Sequence, residues 1–310
     1  MMGSFMTEST AAALHIQGST LRYVEVGRDG EDDDLRRLGE ESLPFDLGRV
    51  LWEEENDDLD HAAEVVERAF AGLEADSFRI VVHPMDVFSV FLPIPAGVSG
   101  KQRRRYATSQ TALVTGARSP DTLALTLQSV RTAEGEEGPI EWVHVLALPK
   151  AVAGRMSVLT DGLPVQEVSR MVSTEAAAQV ADGMEDPIAS GEYGLAVGLY
   201  ATHTEYVLIR NGDWYHAHAA QEARRPENRA YYAVGFLNRV GVAVEAVDAL
   251  FVYGSEADPA GLSDAVFDCR SVLMTPFPQF SEGTDRVEAG DGAEAYVPCV
   301  GGALAVLQSE

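Results

Sequence analysis

Lysine is nearly missing from this 310-residue chain: Lys101 and Lys150 stand alone beside 21 arginines. Cysteine is as scarce, with only Cys269 and Cys299. Two thiols in so long a chain make no disulfide framework, and without a CxxC pair neither thiol exchange nor a zinc ribbon has support. Both read as reduced core residues. Long hydrophobic runs are absent too, because the most apolar stretch, residues 296–307, is interrupted by Pro298, Gly301 and Gly302 and falls short of the ~18 residues a bilayer requires. The opening MMGSFMTEST has neither a basic start nor an apolar core, so residues 1–10 read as a disordered leader and a cytoplasmic location is expected. HExxH, GxSxG, GxxxxGKS and GxGxxG patterns do not occur, which leaves hydrolase, P-loop and Rossmann chemistry without local support.

Positive charge is the largest deficit, with 23 basic residues against 49 acidic ones and a net charge of −26. Phosphate backbones need neutralising Lys and Arg, so nucleic acid is excluded as a partner. A carboxylate-rich, lysine-poor surface suits a salty cytoplasm that screens self-repulsion. Plain solubility, or an acidic face for a basic partner, is the competing reading.

The remaining pattern is that of an α/β protein of two domains. Residues 11–44 alternate as a three-strand meander with turns at Gln17-Gly18-Ser19 and in an acidic loop at 27–34. A helix capped by Asp57 or Asp58 follows, with Leu59, Ala62, Val66, Phe70 and Leu73 on one face. FRIVVH and VFSVFLPIP read as strands, the second ended by Pro93 and Pro95. Ser99 with Gln102 marks a helix start, two strands flank an acidic turn, and Pro149 opens another helix. PVQEV is the next strand, before a short Ala-rich helix and a linker at 182–192. The second half starts again with YGLAVGLY, TEYVLIR, an Asn211-Gly212 turn and DWYHAHA, a strong hairpin signal. A helix over 226–240 with Ala230, Val234, Leu237 and Val240 on one face, the strand ALFVYG, a short helix from Asp258-Pro259, the strand SVLMTPF and a loop at 281–293 complete it. The expected domains are 11–182, carrying a small α+β insertion at about 86–148, and 192–310.

The two halves repeat one order of elements, and here the chain resembles the actin-like ATPase superfamily, within it the PilM type of pilus assembly protein. LHIQGSTLRYVEV resembles that family's first hairpin, GLYATHTEYVLIRNG its second, VYGSEA its nucleotide-facing turn and MTPF a strand end. CVGGALAVL resembles its closing helix. The resemblance implies two ribonuclease H-like domains with an inserted subdomain. It also implies a cytoplasmic scaffold at the inner face of the membrane, bound to the short cytoplasmic tail of an inner-membrane pilus or secretion component, and it leaves self-association open.

In that family an Asp in each hairpin helps hold hydrated Mg²⁺, and neighbouring glycines let backbone amides approach phosphate. Here His15 and Gln17 stand in the first hairpin and Gly198 and Tyr200 in the second, while only Gly254 of the third motif remains, beside Ser255 and Glu256. Nucleotide hydrolysis is therefore not expected, and no metal or cofactor is assigned. Gly18, Ser19, Thr20, Gly254 and Ser255 remain as vestigial contacts for weak ATP binding. An active ATPase or small-molecule kinase of the same superfamily is the runner-up, and an uncharacterised regulatory member the third reading.

Three further groups stand out. His216 and His218 share a strand face that His203 could approach from the neighbouring strand, a zinc-like trio whose plainer reading is local pairing. Lys101, Arg103, Arg104 and Arg105 cluster at a helix start, where the dipole disfavours cations; they are the candidate partner-docking residues, against the plainer reading of a solvated first turn. Val87, Phe88, Val90, Phe91 and Leu92 read as a core strand before they read as a partner groove.

Overall fold

Each half of the chain opens with a meander, and each meander seeds a five-stranded sheet of the same order. The computed structural model describes residues 9–30, 32–54, 57–135, 138–184, 193–258, 262, 266–280 and 292–308. Strands β1 (Ser9–Gln17), β2 (Thr20–Asp29) and β3 (Asp32–Ser42) run antiparallel, and β4 (Ser77–Val82) joins β1 in parallel. A separate three-stranded sheet is then made by β5 (Phe88–Pro95), β6 (Leu123–Gly135) and β7 (Gly138–Pro149), with β7 in the middle. β8 (Glu167–Val172) returns to finish the first sheet as β3-β2-β1-β4-β8.

The second sheet repeats this with β9 (Tyr193–Leu199), β10 (Thr204–Arg210), β11 (Asp213–Ala220), β12 (Val247–Tyr253) and β13 (Arg270–Leu273), in the order β11-β10-β9-β12-β13. The β10–β11 turn needs two positive φ values, which Asn211 at 54° and Gly212 at 84° supply.

Helices α1 (Leu47–Trp52), α2 (Asp58–Ala69) and α4 (Lys150–Val158) pack together beside the first sheet, while α3 (Gly100–Thr115) lies on the three-stranded one. α5 (Ser173–Asp182) packs on both sheets and on α7 (Val297–Leu307), and α6 (Pro226–Val240) covers β10 and β11. The last helix crosses back: Cys299, Val300, Ala303 and Leu304 of α7 share a core with Ala11, Ala13, Val24 and Val26 of the first meander.

Several sequence expectations need correction. β1 begins at Ser9, inside the stretch read as leader, and the acidic loop at 27–34 is mostly strand, because cross-strand pairing carries β2 and β3 out to Asp29↔Asp32. Pro93 sits within β5 rather than ending it; β5 is an edge strand, where a missing N–H can face away from the ladder. The strand read as PVQEV lies further along, from Glu167. α1 had no periodic signal in six residues and is announced only by its cap, Asp46, whose Oδ1 accepts from the Arg49 N–H at 3.1 Å. α6 buries Ala233, Phe236 and Leu237, a face turned from the one expected, since Phe236 carries the largest apolar area. Cys299 is buried, but Cys269 is only half-buried. The leader up to residue 8, most of the 182–192 linker, the start of the Pro259 helix and most of the 281–293 loop lie outside the described residues.

Candidate functional site

The β1–β2 turn, the end of β4 and the β9–β10 turn face one another across the two sheets and bound a cleft of about 730 Å³. Gly18, Ser19, Thr20, Asp86, Thr202 and His203 are among its walls. Two carboxylates line it, Asp46 and Asp86, and no lysine or arginine does among the described residues. Burial pushes the Asp86 carboxyl up from its ordinary value, against the pull of His83 and His203.

Beneath the cleft lies a buried polar cluster that joins the halves of the chain. Strand alternation puts His203 and Glu205 on one side, and Glu205 is fully buried. Its Oε1 lies 2.6 Å from the Ser173 Oγ, 2.7 Å from His83 Nδ1 and 3.1 Å from His203 Nε2, while Oε2 accepts from the Tyr253 hydroxyl at 2.7 Å. Burial alone would raise the Glu205 carboxyl, but His83 beside it and hydrogen bonds from both histidines outweigh that and hold it well below the usual carboxylate range. An ionised carboxylate only accepts, so both facing ring nitrogens donate. Tyr200 stacks on His203 at 4.9 Å between ring centroids and meets His83 edge-on at 4.4 Å. His83 and Ser173 belong to the first half, and His203, Glu205, Tyr200 and Tyr253 to the second.

The two hairpin positions that the resemblance singles out are built into this cluster. His15 is fully buried with its ring centroid 4.8 Å from that of His83, and neither of its nitrogens has a hydrogen-bond partner. Leaving a buried polar atom unpaired costs about 1–3 kcal/mol; burial first, then His83 and Arg22, keeps this imidazole well below its ordinary pKa. Gly198 packs against the Tyr253 ring, where an added Cβ would fall 2.6 Å from Cζ. An aspartate there would collide with the ring that donates to Glu205. Gly254, at φ +100°, sits where an added Cβ would fall 2.5 Å from the Leu199 carbonyl oxygen, and its own N–H donates to the Glu294 carbonyl at 3.0 Å. That amide is not free for a phosphate. These residues do not fit a magnesium-bound nucleotide held in the family's manner.

Of the vestigial contacts, Gly18, Ser19 and Thr20 reach the cleft, whereas Ser255 accepts from Gln17 Nε2 at 2.7 Å and so ties the first turn to the third. The cationic cluster divides. Arg103 Nη2 donates to Ser129 Oγ at 2.7 Å and pairs with Glu141 at 3.0 Å, tying α3 to its own sheet. Lys101, Arg104 and Arg105 are exposed and line a shallow hollow of about 460 Å³ with Thr108 and Asp121.

The imidazole trio separates as well. His203 turns to Glu205, His218 lies flat over Phe236 at 6.1 Å, and His216 stacks on Phe91 at 4.1 Å. This last contact opens an aromatic seam between the three-stranded sheet and β11. Phe91 also meets Trp214 at 5.2 Å, and His144 meets Trp214 at 4.7 Å. The Arg131 guanidinium lies 4.1 Å over Tyr215 and 4.9 Å over Trp142. Burial pushes His144 down to about 3 and His216 to about 4. Of the VFSVFL stretch, Val87 and Leu92 are core, while Phe91 belongs to this seam.

Sequence reasoning missed the Glu205 cluster. Its signal was present as His203-Thr204-Glu205 in strand alternation and as histidines ending two neighbouring parallel strands, but nothing in a chain of 49 carboxylates marks one as buried.

No family model matches the chain, and no curated protein matches its sequence. Among solved structures, the PilM–PilN type IV pilus biogenesis complex is similar with a TM-score of 0.69 and 17% identity, over 95% of this chain and 98% of that one. A protein from Bacteroides thetaiotaomicron with an actin-like ATPase fold and unknown function is similar with a TM-score of 0.54 and 10% identity, over 96% and 99% of the two chains. With twin sheets of one strand order, a cleft between them and a small inserted sheet in the first half, the chain has the actin-like ATPase fold, in a form similar to PilM.

Proposed function

We propose that this chain is a non-enzymatic scaffold whose nucleotide cleft has become a fixed joint between its two domains. The observation that carries this reading is Glu205, which gathers donors from both halves where the superfamily would hold a metal-bound phosphate. In an enzyme of this fold, the halves must admit and release a nucleotide. Here Tyr253, His83 and His203 fill that floor with the protein's own hydrogen bonds. The cleft above retains carboxylates and, among the described residues, no lining lysine or arginine, a poor electrostatic setting for phosphates.

Likeness to the PilM–PilN complex supports a protein partner, and the family resemblance makes that partner the short cytoplasmic tail of an inner-membrane pilus or secretion component. The exposed Lys101, Arg104 and Arg105 offer an acidic segment its attachment, in a chain that is otherwise strongly negative. No helix is long and apolar enough to cross a membrane among the described residues. The retained cleft volume favours a second reading, a divergent ATPase or small-molecule kinase.

Titration of Mg·ATP by calorimetry in concentrated KCl, with a parallel melt, decides between them. A ligand at 100 times its Kd adds about 2.7 kcal/mol of stability. The scaffold gives neither heat nor a melting shift; tight binding that requires Mg²⁺ establishes the second reading instead.

A further inference from the structure

The Glu205 cluster has the composition and convergence of a transition-metal site. One ring nitrogen each from His83 and His203 and one oxygen from Glu205 lie within 4.8 Å of one another, all three residues being almost wholly buried. Three donors crowd the single Oε1 atom, at 2.6, 2.7 and 3.1 Å, an arrangement in which one cation can replace two protons. Around it, polar atoms lack partners: His83 Nε2, both nitrogens of His15 and the Tyr200 hydroxyl are buried without a hydrogen bond. Buried polar atoms are normally satisfied, and here the unpaired ones lie on the His83 imidazole and on rings packed against it, which marks the cluster as short of partners.

The donor chemistry narrows the ion. Two imidazoles and one carboxylate suit a first-row divalent ion and are too nitrogen-rich for Mg²⁺ or Ca²⁺, which favour oxygen cages. We infer that His83, His203 and Glu205 bind a divalent transition-metal ion, Zn²⁺ first among them, that braces the two domains. Access is through the cleft, since His83 and His203 form part of its wall. A water from the cleft would complete a tetrahedron. The Tyr253 hydroxyl on the other oxygen orients the carboxylate as an outer-shell partner does in established metal sites.

The test is a Co²⁺ titration of the intact chain after chelator treatment, near neutral pH, followed by its visible ligand-field spectrum and displaced by Zn²⁺. One equivalent is expected to bind with a tetrahedral or five-coordinate spectrum and to raise Tm. His203→Ala should weaken binding by at least about tenfold, while His216→Ala, in the aromatic seam, leaves it unchanged. No saturable uptake by the wild-type chain overturns the site, as does uptake undiminished in His203→Ala. Because Glu205→Gln threatens folding, the wild-type titration and the comparison of His203→Ala with the His216→Ala control carry the decision.

Discussion

Two of the joints that hold the second domain against the first half of the chain use histidine in opposite ways. At the cleft floor, His83 and His203 donate to an ionised Glu205, so the joint is made of directed, charge-assisted hydrogen bonds. In the aromatic seam, His144 and His216 are surrounded by Phe91, Trp142 and Trp214 and serve as flat, uncharged rings with neutral partners, Ser89 Oγ at 2.9 Å from His144 Nε2 and the Ala217 carbonyl at 3.1 Å from His216 Nδ1. The same side chain is a proton donor where a carboxylate faces it and an aromatic spacer where burial disfavours its charge. Replacing a donor to a buried anion by an apolar ring strands a charge, whereas replacing a seam histidine loses only a neutral hydrogen bond.

The largest effect should come from deleting the acceptor at the polar joint. Glu205→Ala strands four buried donors and is expected to cost about 3–5 kcal/mol in denaturant unfolding; a cost below about 1 kcal/mol would show the cluster to be hydrated and loose. Acid should then act on both joints through their buried imidazoles. His144 and His216 take up protons more readily in the unfolded chain than in the fold, so their stability is complete above about pH 6.5 and declines as pH falls toward their folded values of about 3 and 4. Glu205 is lowered instead, so its contribution persists until pH falls below the ordinary carboxyl value of 4.5. Over that range the seam loosens by a few kcal/mol, at roughly 1.4 kcal/mol for each tenfold loss of proton affinity on folding, while the polar joint loses stability through His15, whose buried imidazole is also held well below its ordinary pKa, rather than through Glu205; Trp fluorescence against pH reads the seam. His144→Phe should flatten that decline, and an unaltered slope would place the acid sensitivity elsewhere.

Removing the stacked ring itself tests the seam without charge. Phe91→Ala is expected to cost about 2 kcal/mol, less than for a fully buried phenylalanine because Phe91 is only half-buried. The smallest effect on stability is expected at the docking cluster. Reversing Lys101, Arg104 and Arg105 to Glu touches neither joint and should shift stability by about 0.5 kcal/mol or less per site, while abolishing capture of an acidic tail peptide. Arg103→Glu should lower stability instead, since Arg103 holds Ser129 and Glu141.

The sheets were legible because strand alternation and the Asn211-Gly212 turn are local signals, and the helix over 226–240 carried both its proline start and its Gly241 stop. The departures in the cleft were legible too, as letters: His15 and Gly198 can be read off the hairpins. What filled the vacated space was not. Tyr253 reaches Glu205 from 48 residues away and Ser173 from 32, and no periodicity connects residues that meet only after two domains have docked. The seam was hidden for the same reason. Phe91 alternates like any strand residue, and only the position of β11 makes it a contact rather than a surface. The cationic cluster was visible as a run, but its division into one structural arginine and three exposed cations depends on where Glu141 falls across the sheet.

The return of α7 to the first sheet also bears on how the protein is made. Ala13, on the apolar face it shares with Ala11, Val24 and Val26, leaves the ribosome 286 residues ahead of Cys299, which helps to cover it with Val300, Ala303 and Leu304. At roughly 5–20 residues per second, that face waits on the order of tens of seconds for its helix. Vectorial folding of the first domain is thus incomplete until α7 has emerged. A nascent chain stalled before residue 297 presents a sticky sheet that chaperones must shield.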